Sequence, residues 1–519
     1  MGGKHLHYLL FFLAVSLLGC AREEKTLEKP NVLLIVVDSL RPDYLGIYGF
    51  KGEISPAIDE WAQRSILFTN AFSAAPWTLP SLASLFTSTS PLLHRVTDAG
   101  WVAGLRDRGI GEEKVVLFGK QMKLYEAAAE IAIPKLPEGM PTLAEAFRNS
   151  GYRTAIFSAA PWLNSKRGLP RGFEYGVDEP TWLDECPFGK CSRPARVLMR
   201  DALNWFTLPR RKPFFAYMHF MDVHLPYECS REDFSLLFDS PSLGENIWLS
   251  DEEFNLLTPE LKASGGFSMD RHIIRNVKSW KACYAGGVRN FDRAFRVFFQ
   301  KLKESGLLEK TVIVFTSDHG EEFMEHGKWE HGKTLFDTAL RVPLIISLPL
   351  MSDPSPQKIT DNVSLLDLMP TLLALAGIKT ESTVLEGRDL TGLLRKKGGE
   401  PRLLLAAGIE RYPFRVAGRL GDFKVILDLA DNLGIAEAYG EKTFLWQLPR
   451  EGVVFNTKAD PGERFNLEDR DATIVKAIVA GLQEYFQKHA ALPLSRRGLQ
   501  PVHLSPAEID ALKSLGYLK

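Results

Sequence analysis

The sequence has no charge surplus: 63 Lys and Arg stand against 64 Asp and Glu over 519 residues. A basic stripe or surplus is what nucleic-acid binding needs, so that class of partner is excluded. Cysteine is scarce, and five in a chain of this length cannot make a disulfide-built scaffold. No segment repeats at a fixed period, which excludes solenoids and propellers. Disorder is excluded too, because 45% of the residues are hydrophobic and the charges are balanced. The length exceeds one small domain and accommodates a large α/β core with an appendage.

One long apolar run stands at the start. Tyr8 to Leu18 (YLLFFLAVSLL) follows Lys4 and ends at Leu17-Leu18-Gly19-Cys20, before the polar run AREEKTLEK. That is the length of a signal-peptide core and is short of the roughly 20 residues of a spanning helix. The junction resembles the lipobox of bacterial lipoproteins. The resemblance implies a signal peptide over 1–20, a lipid on Cys20, a tether over 21–30, and an exported protein held at a membrane by its acyl chains. A plain secretory signal is the alternative. Export makes the other cysteines candidates for pairing. Cys186 and Cys191 flank a Pro-Phe-Gly-Lys turn and are expected to bridge locally, with Cys229 and Cys283 as the second pair. Free thiols are the other reading, and C-x4-C is loose for zinc.

Beyond the tether, NVLLIVVD (31–38) is a continuous β-branched run ending in an acid, the mark of a central strand buried on both faces. Pro56 to Phe68 has helical spacing. Residues 141–157 and 213–224 continue an α/β alternation. FRVFFQKLKESGLLEKTVIVFTSDHG (295–320) reads as helix, glycine stop, strand and polar turn, and 363–378 as a further helix. The fold class is therefore α/β, with a large mixed, mostly parallel sheet flanked by helices over 31–400. Residues 97–138 and 230–270 break the rhythm and read as irregular insertions. From 401 to 519 short strands (GDFKVILDL, EKTFLWQL, GVVFNTK) precede a helix, which predicts a small α+β subdomain with an antiparallel sheet.

In an open parallel sheet ligands gather outside the carboxyl ends of the strands. Asp38 closes the first strand and Asp318-His319 closes TVIVFTS. Two carboxylates and an imidazole at one edge would form a divalent metal site, although a lone Asp at a strand end is often only a helix cap. Thr78, in PWTLPSLASLFTS, opens a helix, where backbone N–H groups face an anion. A hydroxyl there beside a metal can act as nucleophile, and the same pattern is also an ordinary helix start.

Taken together, NVLLIVVDSLRPDYLGIYG, SPAIDEWAQRSILFTNAFSAAPWTLPSLASLFTS, FFAYMHFMDVHLPY, VFTSDHGEEFMEHG, HGKTLFDTALRVPLII and KADPGERFNLED resemble the sulfatase family of the alkaline phosphatase superfamily, in the family's order from about residue 30 onward. The resemblance implies that Asp38, Asp318, His319 and Thr78 hold the metal and that Thr78 is the nucleophile. It implies that His224 contacts the ester or leaving group, and that His331 or Lys333 contacts substrate oxygens. It also implies a sulfated or phosphorylated small molecule, lipid or glycan as substrate.

The departures are as informative. Family members with C/S-x-P-x-R convert the first residue to formylglycine. Here the stretch is Thr78-Leu79-Pro80-Ser81-Leu82. Oxidised threonine is a ketone rather than an aldehyde, and Leu82 replaces the arginine. Ser39 stands where a second acid is usual, and Ile156-Phe157-Ser158-Ala159-Ala160 replaces a lysine/histidine segment. An Asp-His pair in place of Asp-Asn moves preference toward manganese or zinc, with calcium or magnesium less suited. A threonine nucleophile resembles the phosphoethanolamine and glycerophosphate transferases of the superfamily. The sequence thus favours phosphate-ester transfer through Thr78 over sulfate-ester hydrolysis without formylglycine, and either over an inactive glycan-binding surface lipoprotein.

Overall fold

The computed structural model describes residues 29–94, 96, 133–177, 193–209, 212–257, 275–349, 357–379, 385–395, 398–408, 415–428, 452–467, 473–490 and 501–502. The proposed signal peptide with Cys20, most of the tether, Cys186 and Cys191, EKTFLWQL and most of 97–138 lie outside them.

The apolar runs become a central sheet. Its strands are β1 (Asn31–Val37), β2 (Ile66–Phe72), β3 (Arg153–Ser158), β4 (Phe214–Phe220), β5 (Thr311–Thr316), β6 (Arg341–Ser347), β7 (Gln357–Ile359) and β8 (Val363–Ser364). The order is β7-β2-β6-β5-β1-β4-β3, with β8 also on β2. Every pairing is parallel except those of β6, which runs antiparallel to both β2 and β5. Strand β1 lies inside the sheet between β5 and β4, and Val32 to Val37 are all fully buried, which is why it is unbroken Val, Leu and Ile.

Helices cover both faces: α1 (Pro56–Ala62), α2 (Thr78–Thr87), α3 (Leu143–Asn149), α4 (Ala195–Phe206), α5 (Val277–Glu304) and α6 (Leu368–Leu375). Gly306, at φ 64°, ends the α5 segment before β5. Three expectations are corrected. The helix from Pro56 stops at Ala62, and Ile66–Phe68 open β2 instead, because this β-branched and aromatic run is buried in the sheet. Residues 363–378 begin as the short strand β8 before turning helical. The described part of 230–270 is not irregular: it holds helices Arg231–Leu237 and Asp251–Leu256, capped by Ser230 and by the Ser250/Glu253 capping box.

The C-terminal subdomain is an antiparallel sheet in the order β9 (Leu404–Gly408), β10 (Arg415–Leu420), β11 (Phe423–Asp428), β12 (Gly452–Asn456), packed by α7 (Thr473–Ala490). It touches the central sheet close to Thr78. The Ala407 N–H donates to the Ala74 carbonyl at 3.0 Å, and Asp337, just before β6, meets Arg419 of β10 and Lys424 of β11.

Cys229 is bonded to Cys283, so the loop after β4 is tied to α5. Two glycines let that loop lie flat on the helix. A Cβ on Gly286 would meet the Cys229 Cβ at 2.6 Å, and one on Gly287 the Asp222 carbonyl oxygen at 2.7 Å. Mid-helix glycine costs about 0.5–1 kcal/mol against alanine, so the close approach is what these positions serve. No helix among the described residues is long and apolar enough to cross a membrane.

Candidate active site

Three neighbouring strands deliver polar groups to the same edge. Val36 of β1 is level with His219 of β4 on one side and Thr316 of β5 on the other. Asp38 therefore lies just beyond β1, between His219 and the Asp318-His319 pair beyond β5. All four are fully buried. The fourth element is α2, whose first residue is Thr78. Its Oγ1 lies 3.1 Å from His319 Nε2 and 3.3 Å from Asp38 Oδ2.

Each group is held from behind. His319 Nδ1 donates to the Gly320 carbonyl at 2.8 Å, which leaves its Nε2 lone pair facing Thr78 and the carboxylates. That Nε2 is 3.4 Å from Asp38 Oδ1 and 3.5 Å from Asp318 Oδ2. Ser39 sits at φ 60°; its Oγ donates to Asp38 Oδ1 at 2.9 Å and its N–H to Asp318 Oδ1 at 3.2 Å. Ser81, one turn into α2, donates to the Asp318 carbonyl at 2.6 Å and so fastens the Thr78 helix to the β5 loop. The hydrogen bond from Gly332 N–H to the Pro76 carbonyl, 2.9 Å, braces the approach to Thr78.

The charges are strained by burial. Burial would raise the Asp38 carboxyl, but the imidazoles of His224, His219 and His319 hold it well below the usual range. Asp318 is pushed well above it, first by burial and then by the field of Asp38. Burial, with His331 nearby, pushes His319 well below its ordinary value, and burial lowers His224 as well. In so dry a setting two adjacent carboxylates do not both stay ionised without a cation. Asp318 Oδ2 is buried and receives no hydrogen bond among the described residues. Ligand atoms of Asp38, His219 and Asp318 lie within 4.8 Å of one another. Two carboxylates, imidazole nitrogens and an orphaned buried oxygen fit a divalent cation.

His224 and His331 complete the rim. Their rings are 5.1 Å apart, and His331 lies 4.4 Å from His319. His224 Nδ1 donates to the Leu225 carbonyl at 2.6 Å, and His331 Nδ1 lies 3.2 Å from Glu321 Oε1. The structure thus brings Asp38, Thr78, His224, Asp318, His319 and His331 together. Lys333 is not brought in: its Nζ donates to the Trp329 carbonyl at 2.9 Å and to Glu330 Oε2 at 2.7 Å. Sequence reading missed His219. The signal was there, since it stands near the carboxyl end of a strand next to β1, but His224 in the same stretch carried the family resemblance.

A sequence model of the Sulfatase family matches residues 30–378. The chain is 26% identical over 392 residues to an arylsulfatase of Clostridium perfringens, covering 71% of this chain and 79% of that protein. It is 24% identical over 465 residues to a Delta 4,5-hexuronate-2-O-sulfatase of Bacteroides thetaiotaomicron, covering 88% of this chain and 87% of that one. Its fold is similar to that of the phosphonate monoester hydrolase of Agrobacterium radiobacter, with a TM-score of 0.63, 20% identity, and coverage of 92% of this chain and 100% of that one.

Proposed function

Because the chain belongs to the sulfatase family, we propose that it is a metal-dependent hydrolase or transferase of phosphate esters that uses Thr78 as its nucleophile. The observation that carries this reading is the placement of Thr78 Oγ1, buried at a helix start and 3.1 Å and 3.3 Å from His319 Nε2 and Asp38 Oδ2. Asp38, Asp318, His319 and Thr78 would hold the cation. When bound, it would favour the threonine alkoxide and offset charge on the ester oxygens.

The chain's own groups do the rest. Thr78 Oγ forms the new bond to phosphorus as the bond to the leaving alcohol breaks, and its proton has Asp38 Oδ2 as a neighbouring acceptor. The α2 N-terminus faces the oxygens that gain charge. His224 and His331 line the ester; His331, with its Nδ1 on Glu321, gives the leaving oxygen a proton and takes back the one that Thr78 released. Water or an alcohol then takes the phosphoryl group from Thr78.

A second reading, hydrolysis of sulfate esters, is favoured by the sulfatases among the similar proteins. Formylglycine chemistry is not available to it, since threonine cannot yield the aldehyde. The test is turnover of phosphate monoesters, phosphodiesters, phosphonate monoesters and aryl sulfates side by side, with trapping on the Thr78 peptide. Phosphoryl and sulfuryl groups add nearly equal mass, so 32P-labelled ester identifies the adduct. Turnover of sulfates alone, with no label on Thr78, rejects the phosphate reading.

We also propose export and lipid anchoring at Cys20. The Leu-Leu-Gly-Cys junction supports it, as does a Cys229–Cys283 bond that suits an oxidising compartment. Cys20→Ser should leave the protein soluble or unprocessed; unchanged membrane fractionation and maturation would rule the anchor out.

A further inference from the structure

We propose that His219 is a ligand of the metal, joining Asp38, Thr78, Asp318 and His319, so that the coordination set holds two imidazole nitrogens. The inference rests on the metal-dependent reading above and adds a residue to it.

The separations support ligands of one ion. His219 Nε2 is 3.0 Å from Asp38 Oδ2, and His319 Nε2 is 3.4 Å from Asp38 Oδ1 and 3.5 Å from Asp318 Oδ2. Neighbouring donors on a tetrahedral ion with bonds near 2.0–2.1 Å stand about 3.3 Å apart. The two histidines are also built alike. The Nδ1 of His319 is spent on the Gly320 carbonyl and that of His219 on the Tyr217 hydroxyl, each at 2.8 Å. An outer partner on one ring nitrogen, with the other turned inward, is the arrangement that orients metal-bound imidazoles. Tyr217 is fully buried, so this partner is not interchangeable with solvent.

A plain His219–Asp38 hydrogen bond accounts for less. It would satisfy one oxygen of Asp38 and still leave Asp318 Oδ2 buried with no donor among the described residues. Ser39 adds hydrogen bonds to both acids but no carboxylate. Without His219 the set would be two acids, a hydroxyl and a single imidazole. With it, two imidazole nitrogens stand beside the two carboxylates, which selects zinc or manganese over calcium or magnesium.

The test uses the full protein, stripped with chelator and reloaded with Zn2+, Co2+ or Mn2+. His219→Gln should bind Zn2+ at least about 100-fold more weakly, and Tyr217→Phe about 10-fold more weakly. Pulsed EPR of the Mn2+ form should count two coordinated nitrogens in the wild type and one in His219→Gln. His219→Cys should restore binding, and its Co2+ form should show a thiolate-to-cobalt charge-transfer band that the wild type lacks. This band also covers the case in which His219→Gln does not fold. Two nitrogens retained in His219→Gln, or no charge-transfer band in a Co2+-loaded His219→Cys, overturns the assignment of His219 alone. A wild type that takes up none of the three ions overturns the metal-dependent reading itself.

Discussion

Around Asp337 the chain buries two acids and two bases together, whereas around Asp38 it buries two acids among imidazoles. In the first cluster Asp337 meets Arg419 and Lys424, and Lys424 also pairs with Glu463 at 2.7 Å. Burial opposes the Asp337 charge, but Arg419 and Lys424 hold its carboxyl well below the ordinary range. That cluster closes its own charge and joins the C-terminal sheet to the segment before β6. In the second, no lysine or arginine is paired with Asp38 or Asp318 among the described contacts, and Asp318 is pushed up by burial and by Asp38. The difference separates two uses of buried charge. A self-neutral cluster acts as a structural joint, and a deficient one is made to receive something positive.

The largest contrast is in turnover. Thr78→Ala should lower kcat/KM by about 10³-fold or more while leaving metal content intact, since the lost contact is made along the reaction path. Steady-state kinetics with metal analysis checks this, and a Thr78→Ala protein with wild-type turnover would move the chemistry elsewhere. Thr78→Ser should keep part of the activity.

Two isosteric changes should then have opposite signs. Asp337→Asn strands buried cations and should cost about 3–5 kcal/mol. Asp318→Asn removes a carboxyl whose ionised form burial and Asp38 disfavour, so in EDTA it should stabilise rather than destabilise, while losing the added stability that ions confer on the wild type. Thermal unfolding with and without metal reads both. If Asp318→Asn destabilises the stripped protein as Asp337→Asn does, the contrast between the clusters is broken.

Acid should sharpen it further. Burial pushes His94, packed behind α2 with Ser84, down to about 3. A neutral native imidazole contributes fully above its unfolded value near 6.5. Its contribution falls by about 1.4 kcal/mol per pH unit as pH drops toward 3. Asp337 behaves oppositely in range: its folded value lies below the unfolded one, so its contribution persists down to about pH 4 and is lost only beneath that. Hydrogen exchange at pH 5 should therefore show α2 losing protection before β10 and β11. The reverse order would remove the basis of this contrast.

The smallest effect belongs to the cation left outside the cluster. Lys333→Ala should change kcat/KM by no more than about threefold, because its ammonium is already engaged. His331→Ala should cost about 10²-fold, the usual scale for a proton-transfer residue. Equal losses in the two variants would place Lys333 on the substrate after all.

Much of this was legible in the chain because it is written locally. Val32 to Val37 read as a doubly covered strand, and Asp38 and Asp318-His319 read as strand-end acids, since burial and strand length leave direct marks in residue type. Thr78 was legible through its place before a helical run. The capping box Ser250/Glu253 was equally local and was passed over inside a segment taken as irregular.

The sequence by itself determined the α/β class, the order of the elements and the residue types at the strand ends, all of which depend on neighbours along the chain. Only the tertiary structure decided which ends meet. The order β5-β1-β4 puts His219 beside Asp38 across 181 residues of sequence. It also decided that Lys333 turns to Glu330 while His331 stays with His319. No local pattern carries that information, because strand order and the pairing of distant charges are set by how the whole sheet excludes water from its edge.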